Sequence, residues 1–176
     1  MQNNMSMKDA VIAYWTKGFQ FSGRARRREY WLNLLATLII ELVIGLLIMI
    51  IDVISSNKAH LSEHYRFFVT TLFPYINTIP AMAQSSRRLQ DININGKIAI
   101  VIMTVDVVLS FIFTHVYPIL PIDFTDKGGL AQMLMLTLLL SLPWLFLFIC
   151  NFIRGNHGPN KYGEDPKHTV YSRKNS

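Results

Sequence analysis

Apolar positions along this chain gather into long uncharged runs, unlike the short alternating stretches that mark a sheet protein. Four such runs stand out: Leu32 to Ile51, broken only by Glu41; Phe67 to Ser86, without charge; Ile98 to Ile122, holding only Asp106; and Gly128 to Ile153, again without charge. A helix rises ~1.5 Å per residue, so about 20 residues cover the ~30 Å of hydrocarbon in a bilayer. Each run therefore predicts a membrane-crossing helix. The second is the most diluted, because Thr70, Thr71, Asn77 and Thr78 lower its hydropathy and Pro74 and Pro80 should kink it. Upstream, Ala10, Val11, Tyr14, Trp15 and Phe19 recur at near-helical spacing between Lys8 and Lys17. That spacing predicts a short amphipathic helix, lying in the headgroup plane or packed on a bundle.

Composition agrees with lipid as the solvent. Hydrophobic residues make up 51% of the 176 and charged residues 16%, against roughly 25% charged in soluble domains. One cysteine, Cys150, excludes an internal disulfide and a multi-cysteine zinc site. The net charge of +6 would suit nucleic acid, but the basic residues flank the apolar runs, so no nucleic-acid partner is expected. Six Lys or Arg lie in residues 1–31, three in the 87–97 loop and five from Arg154 onward, against Lys58, Arg66 and Lys127 in the other two loops. Basic residues are retained in the cytoplasm, so both termini and the middle loop are expected there. The first run begins after 31 residues and is too long for a signal-peptide core, so no cleavable signal is expected. The expected fold is all-α: a cytoplasmic segment 1–31 with an interfacial helix, an antiparallel four-helix membrane bundle over 32–153, and a cytoplasmic tail 154–176. The expected spans are about 32–51, 67–86, 98–122 and 128–153.

The basic residues form two clusters on the expected inner side. If Ser22 caps the first span, Arg24, Arg27, Arg28 and Trp31 fall on one helical face, with Trp31 at headgroup level. Arg87 and Arg88 end the second span, with Asp91 three and four residues beyond and in reach of an ion pair. Guanidinium binds phosphate bidentately, so this collar is a candidate site for lipid headgroups or another anion; the plainer reading is that it only sets topology.

The segment Phe21-Ser22-Gly23-Arg24-Ala25-Arg26-Arg27-Arg28-Glu29-Tyr30-Trp31 resembles the opening motif of the domain of unknown function 805 family of small bacterial inner-membrane proteins. Two later blocks resemble that family as well: Ile79-Pro80 with Arg87-Arg88-Leu89-Gln90-Asp91, and the tail from Gly155 to Pro166. Gln90 stands where the family usually has histidine, and Asn95-Gly96-Lys97 where it often has Ser-Gly-Trp. The resemblance implies an integral plasma-membrane protein of about four spans and implies no activity. In the tail, Gly155, Gly158 and Gly163 with Asn160, Tyr162, Asp165 and Pro166 read as an ordered turn that could fold back onto the arginines, Asp165 and Glu164 being natural partners.

Ionisable groups inside hydrocarbon are costly and mark candidate function. At ~1.5 Å per residue, Glu41 lies about 15 Å beyond Trp31, Asp106 about 13 Å beyond Lys97 and Asn77 about 15 Å before Arg87. All three reach the midplane, where they could share a proton or simply glue helices. His60-Leu61-Ser62-Glu63-His64 spells a zinc-peptidase pattern and Asp91 to Gly96 half a calcium loop. Neither has the ligands to complete it, and no metal or cofactor is expected. The preferred expectation is a non-enzymatic membrane component whose collar engages anionic lipid or a partner, with room for a homo-oligomer. The alternative is a small proton- or ion-coupled carrier using Glu41 and Asp106.

Overall fold

The computed structural model describes residues 5–55, 60–112 and 127–166, and its elements are helices. Helix α1 (Met7–Thr16) opens on a capping box. The Ser6 hydroxyl accepts from the Asp9 amide at 3.1 Å while the Asp9 carboxylate accepts from the Ser6 amide at 3.2 Å, which satisfies two of the amides a helix start leaves unpaired. Its inner stripe, Ala10 and Tyr14, is buried, whereas Ile12, Trp15 and, beyond the helix, Phe19 face outward. The two expectations for this segment thus meet in one helix: one side is packed and the other is apolar and open. Gly18 then brings the backbone against Pro80, where an added Cβ would lie 3.1 Å from the ring.

Helix α2 (Arg27–Ile54) starts later than expected. Its N-cap is Arg26, in extended conformation and without a capping side chain, so Ser22 does not cap it and Arg24 is not on its face. The cause is tertiary: the Ala25 amide donates to the Arg87 carbonyl at 3.1 Å, which commits the chain to another element before the helix can begin. At its far end the Asp52 carboxylate accepts from the Leu61 and Ser62 amides at 3.0 and 2.6 Å. It thereby caps α3 (Leu61–Phe67), whose own N-cap, His60, contributes no side chain.

Helix α3 runs through a π-helical turn, Phe68–Leu72, into α4 (Phe73–Asp91). Pro74 sits at the start of α4 and cannot donate to the preceding turn, while its ring crowds the carbonyl four residues back. A wider π turn at that point absorbs both effects. Helices α5 (Lys97–Phe111) and α6 (Lys127–Cys150) follow. The third apolar run is described only as far as Ile112, and His115 lies outside the described residues. Among the described residues one helix, α2, is long and apolar enough to cross a membrane, with a shorter apolar stretch over Thr137–Cys150. The expected second span is divided among the end of α3, the π turn and α4, and α4 continues past it into the buried, mostly polar stretch from Ser86 to Asp91. A four-span bundle therefore goes beyond what the helices establish.

The buried apolar cluster is small. Leu89, Ala99, Met103, Leu147 and Cys150 meet where α4, α5 and α6 converge. Away from this end the large side chains of α2, α5 and α6 point outward, as Leu42, Leu47, Val101, Leu138 and Leu145 do.

Candidate functional site

The polar end of the molecule is assembled from three stretches far apart in sequence. The last turn of α4, Arg87 to Asp91, is wholly buried. Asp91 accepts Arg24 Nε on one oxygen and Arg88 Nη1 on the other, each at 3.0 Å. The three side chains are at most 5% exposed. Arg87 donates from Nη1 to Glu29 of α2 at 3.3 Å and from Nε to the Ala83 carbonyl. Ser86 and Gln90, one turn apart, both donate to the Phe21 carbonyl, at 2.8 and 2.9 Å. Segment 21–25 is thereby strapped along the end of α4.

The chain after α6 closes over this pair of helices. Arg24 Nη1 donates to the Gly158 carbonyl at 2.6 Å and Nη2 to that of Asn156 at 2.5 Å. Arg88 Nη2 donates to the Ile153 carbonyl. The Asn156 amide bonds the Asp91 carbonyl at 2.9 Å, and Asn160 Nδ2 the Gln90 carbonyl at 2.9 Å. Asn160 and Gly163 pair reciprocally at 3.0 Å to close a turn, in which Gly163 takes φ +130°, a conformation closed to other residues. The Gly155 backbone lies so near Asp91 that a Cβ there would sit 1.9 Å from the carboxylate. Asp165, itself buried, accepts the Gly158 amide at 3.3 Å, and Tyr162 and Pro166 are half-buried. On the α2 side, Trp31 donates from its indole to the Asn151 carbonyl at 3.1 Å. Its ring lies 4.8 Å from that of Phe152.

Burial dominates the electrostatics. It pushes the Asp91 carboxyl above its ordinary range, against the hydrogen bond from Arg24 and the charge of Arg88. It pulls Arg87 and Arg88 down, against Glu29 and Asp91 respectively. Desolvation of this kind offsets much of the Coulomb attraction within the network.

The expected collar thus divides. Arg24, Arg87 and Arg88 turn inward and are bonded within the protein, while Arg27 and Arg28 stay exposed. Arg27 donates to the Phe152 carbonyl at 3.1 Å and Arg28 to that of Met5 at 3.1 Å. Trp31 packs against Phe148 and Phe152, and the tail folds back onto Arg24 through its backbone carbonyls, with Asp165 buried and Glu164 exposed. Glu29 as Arg87's partner and Asn151 as Trp31's are additions the sequence reading lacked. Glu29 lay inside the first motif block, which was the available signal.

The three polar residues expected at the midplane are not brought together. Asn77 accepts the Tyr14 hydroxyl at 2.5 Å, Glu41 and Asp106 are half-buried, and no hydrogen bond or ion pair joins any two of the three among the described residues. His60 and Glu63 approach to 3.9 Å and are exposed. Among the described residues no cluster of three side chains suited to a metal occurs.

A family model described as a protein of unknown function, DUF805, matches residues 18–164. The inner membrane protein YhaI of Escherichia coli K12 is 26% identical over 147 residues, which cover 84% of this chain and 86% of that protein. The inner membrane protein YhaH of the same strain is likewise 26% identical, over 84% of this chain and 87% of its own length. No solved structure matches.

Proposed function

This chain belongs to the DUF805 family, and on that footing we propose that it is a non-enzymatic protein of the bacterial inner membrane. In this reading it crosses four times, over about 32–51, 67–86, 98–122 and 128–153, with both termini in the cytoplasm. Its outward arginines engage anionic lipid headgroups.

One observation carries the sidedness. The three segments richest in Lys and Arg touch one another, through Arg24 and Asp91, Arg88 and Ile153, and Asn160 and Gln90. Groups in direct contact lie on one side of a bilayer, and by the distribution of positive charge that side is the inner one. Each segment that leaves the junction and returns must then cross an even number of times or stay on that side. The relatives named as inner membrane proteins support the compartment. The lipid role rests on Arg27 and Arg28, exposed beside Trp31 and the aromatic side chains of Phe148 and Phe152.

Two measurements test the reading. Reporter fusions at residues 1, 57, 93, 124 and 176 are expected to show the first, third and last inside and the other two outside; either terminus outside would overturn it. Reconstituted protein is expected to bind phosphatidylglycerol over phosphatidylcholine, and R27Q/R28Q to weaken that preference. A loss near ~1 kcal/mol per arginine, shrinking with salt, fits surface attraction; an unchanged preference removes the lipid role.

A further inference from the structure

We propose that residues 154–165 form a latch over a phosphate-binding site, whose own carbonyl oxygens stand where phosphate oxygens would otherwise sit. The proposal builds on the cytoplasmic-face reading above and adds an occupant and a ligand class.

The site is the guanidinium pair of Arg24 and Arg88, both inward and sharing the single carboxylate of Asp91. Around the pair stand two more arginines, Arg26 and Arg87, and two more carboxylates, Glu29 and Asp165. Arg87 is matched by Glu29, and Asp165 lies within electrostatic reach of both Arg26 and Asp91. With Arg27, whose charge also reaches Arg88, five cations thus face three anions, leaving positive charge in excess. Besides the Asp165 carboxylate, the latch presents backbone dipoles to this excess: the carbonyls of Asn156, Gly158 and, at 3.4 Å, Gly163 on Arg24, while that of Ile153, just before the latch, lies on Arg88. Arg88 Nε is buried and has no partner. Guanidinium forks are matched to a ligand carrying several oxygens and a charge at once, which describes a phosphate group and not an amide carbonyl.

The latch is also the layer best placed to move. His157, Pro159, Lys161, Gly163 and Glu164 are exposed. The segment is held by polar bonds to the Asp91 and Gln90 carbonyls and to Arg24. Segments bound in this way open at a small fraction of the global unfolding free energy. A phosphate group that binds only the open form would have its affinity multiplied by the fraction of molecules that are open.

The test uses the full chain in nanodiscs. Gly155→Ala places a Cβ 1.9 Å from the Asp91 carboxylate and so lifts the latch; Asn160→Ala removes its bond to Gln90 without intruding on Asp91. The probes are inorganic phosphate and discs of phosphatidylglycerol, with phosphatidylcholine as control. Both variants are expected to bind phosphate at least about fivefold tighter, the gain for a latch closed in four molecules of five. A gain with inorganic phosphate identifies the free ion as sufficient; a gain confined to phosphatidylglycerol identifies the lipid headgroup. Adding Arg24→Gln is expected to abolish the gain.

Unchanged affinity for both probes, with amide exchange showing residues 155–163 released, would overturn the proposal. So would a gain that survives Arg24→Gln. Protection of the single thiol, Cys150, reports whether each variant keeps its fold. If Gly155→Ala exposes it, Asn160→Ala decides, and the two substitutions combined decide if neither alone frees the latch. Loss of lipid preference in R27Q/R28Q bears on the surface reading alone, because the latch is read from the change that Gly155→Ala makes.

Discussion

Asp91 is the residue on which the polar end turns, with one arginine on each carboxylate oxygen and a tail amide on its carbonyl. Replacing it with Asn leaves two buried guanidinium groups without a counter-charge. Breaking a buried pair in this way costs about 3–5 kcal/mol, so D91N is expected to lower markedly the temperature at which Cys150, 3% exposed in the folded chain, becomes reactive to a thiol dye. A melting point equal to the parent's would deny Asp91 its place as hub. Tyr14 makes a smaller contribution: Y14F leaves Asn77 short of a donor and is expected to cost about 0.5–1.5 kcal/mol in the same assay. At this scale, reach along the chain decided what was legible. Arg88 and Asp91, three apart on a helix, could be paired by spacing, whereas Arg87 and Glu29 are separated by 58 positions and no local rule connects them.

The elements themselves were legible wherever hydrophobic periodicity or run length governs, as in α1, α2 and α6. They were misread where a tertiary bond intervened. Arg24 left the predicted helix because the Ala25 amide is spoken for by α4, and the polar end of α4 is helical because its groups find partners in protein where solvent or lipid was assumed. The start of α1 carries a pH dependence. The Ser6 hydroxyl bonded to Asp9 holds that carboxyl below its ordinary value, so its contribution is complete above the unfolded value and is lost as pH falls through the folded one. Amide exchange over residues 7–16, corrected for its intrinsic pH dependence, is expected to quicken below about pH 4. In D9N that acid step should vanish; its persistence would place the dependence elsewhere. The Asp52 cap on α3 went unforeseen for a different reason: its two amides lie nine and ten residues on, beyond any helix-capping motif.

Among the described residues the buried apolar cluster is small and the apolar exterior large, the reverse of what water favours, and the polar network is gathered at one end. The halves on either side of residues 56–59 are joined there by Arg24 with Asp91, Glu29 with Arg87, Arg27 with Phe152 and Trp31 with Asn151. A protease site inserted at 57 is therefore expected to yield two fragments that co-purify in mild detergent. Their association should weaken in R24Q/R87Q, and fragments that part as readily without those substitutions would show that the junction does not hold the halves together. The sequence-level motif blocks pointed to this end of the molecule without saying that they meet: three separately written signatures turn out to be the three walls of one structure.

Because the Arg24 contacts join an early part of the chain to a late one, they form in a fixed order during synthesis. Arg24 leaves the ribosome long before Asn156 and Gly158 exist, so its guanidinium lacks these carbonyl partners while the middle of the chain is being made. Only when the last helix has been made do the carbonyls arrive that draw the same guanidinium inward. The seal over the polar end is thus the last part of the structure that can form.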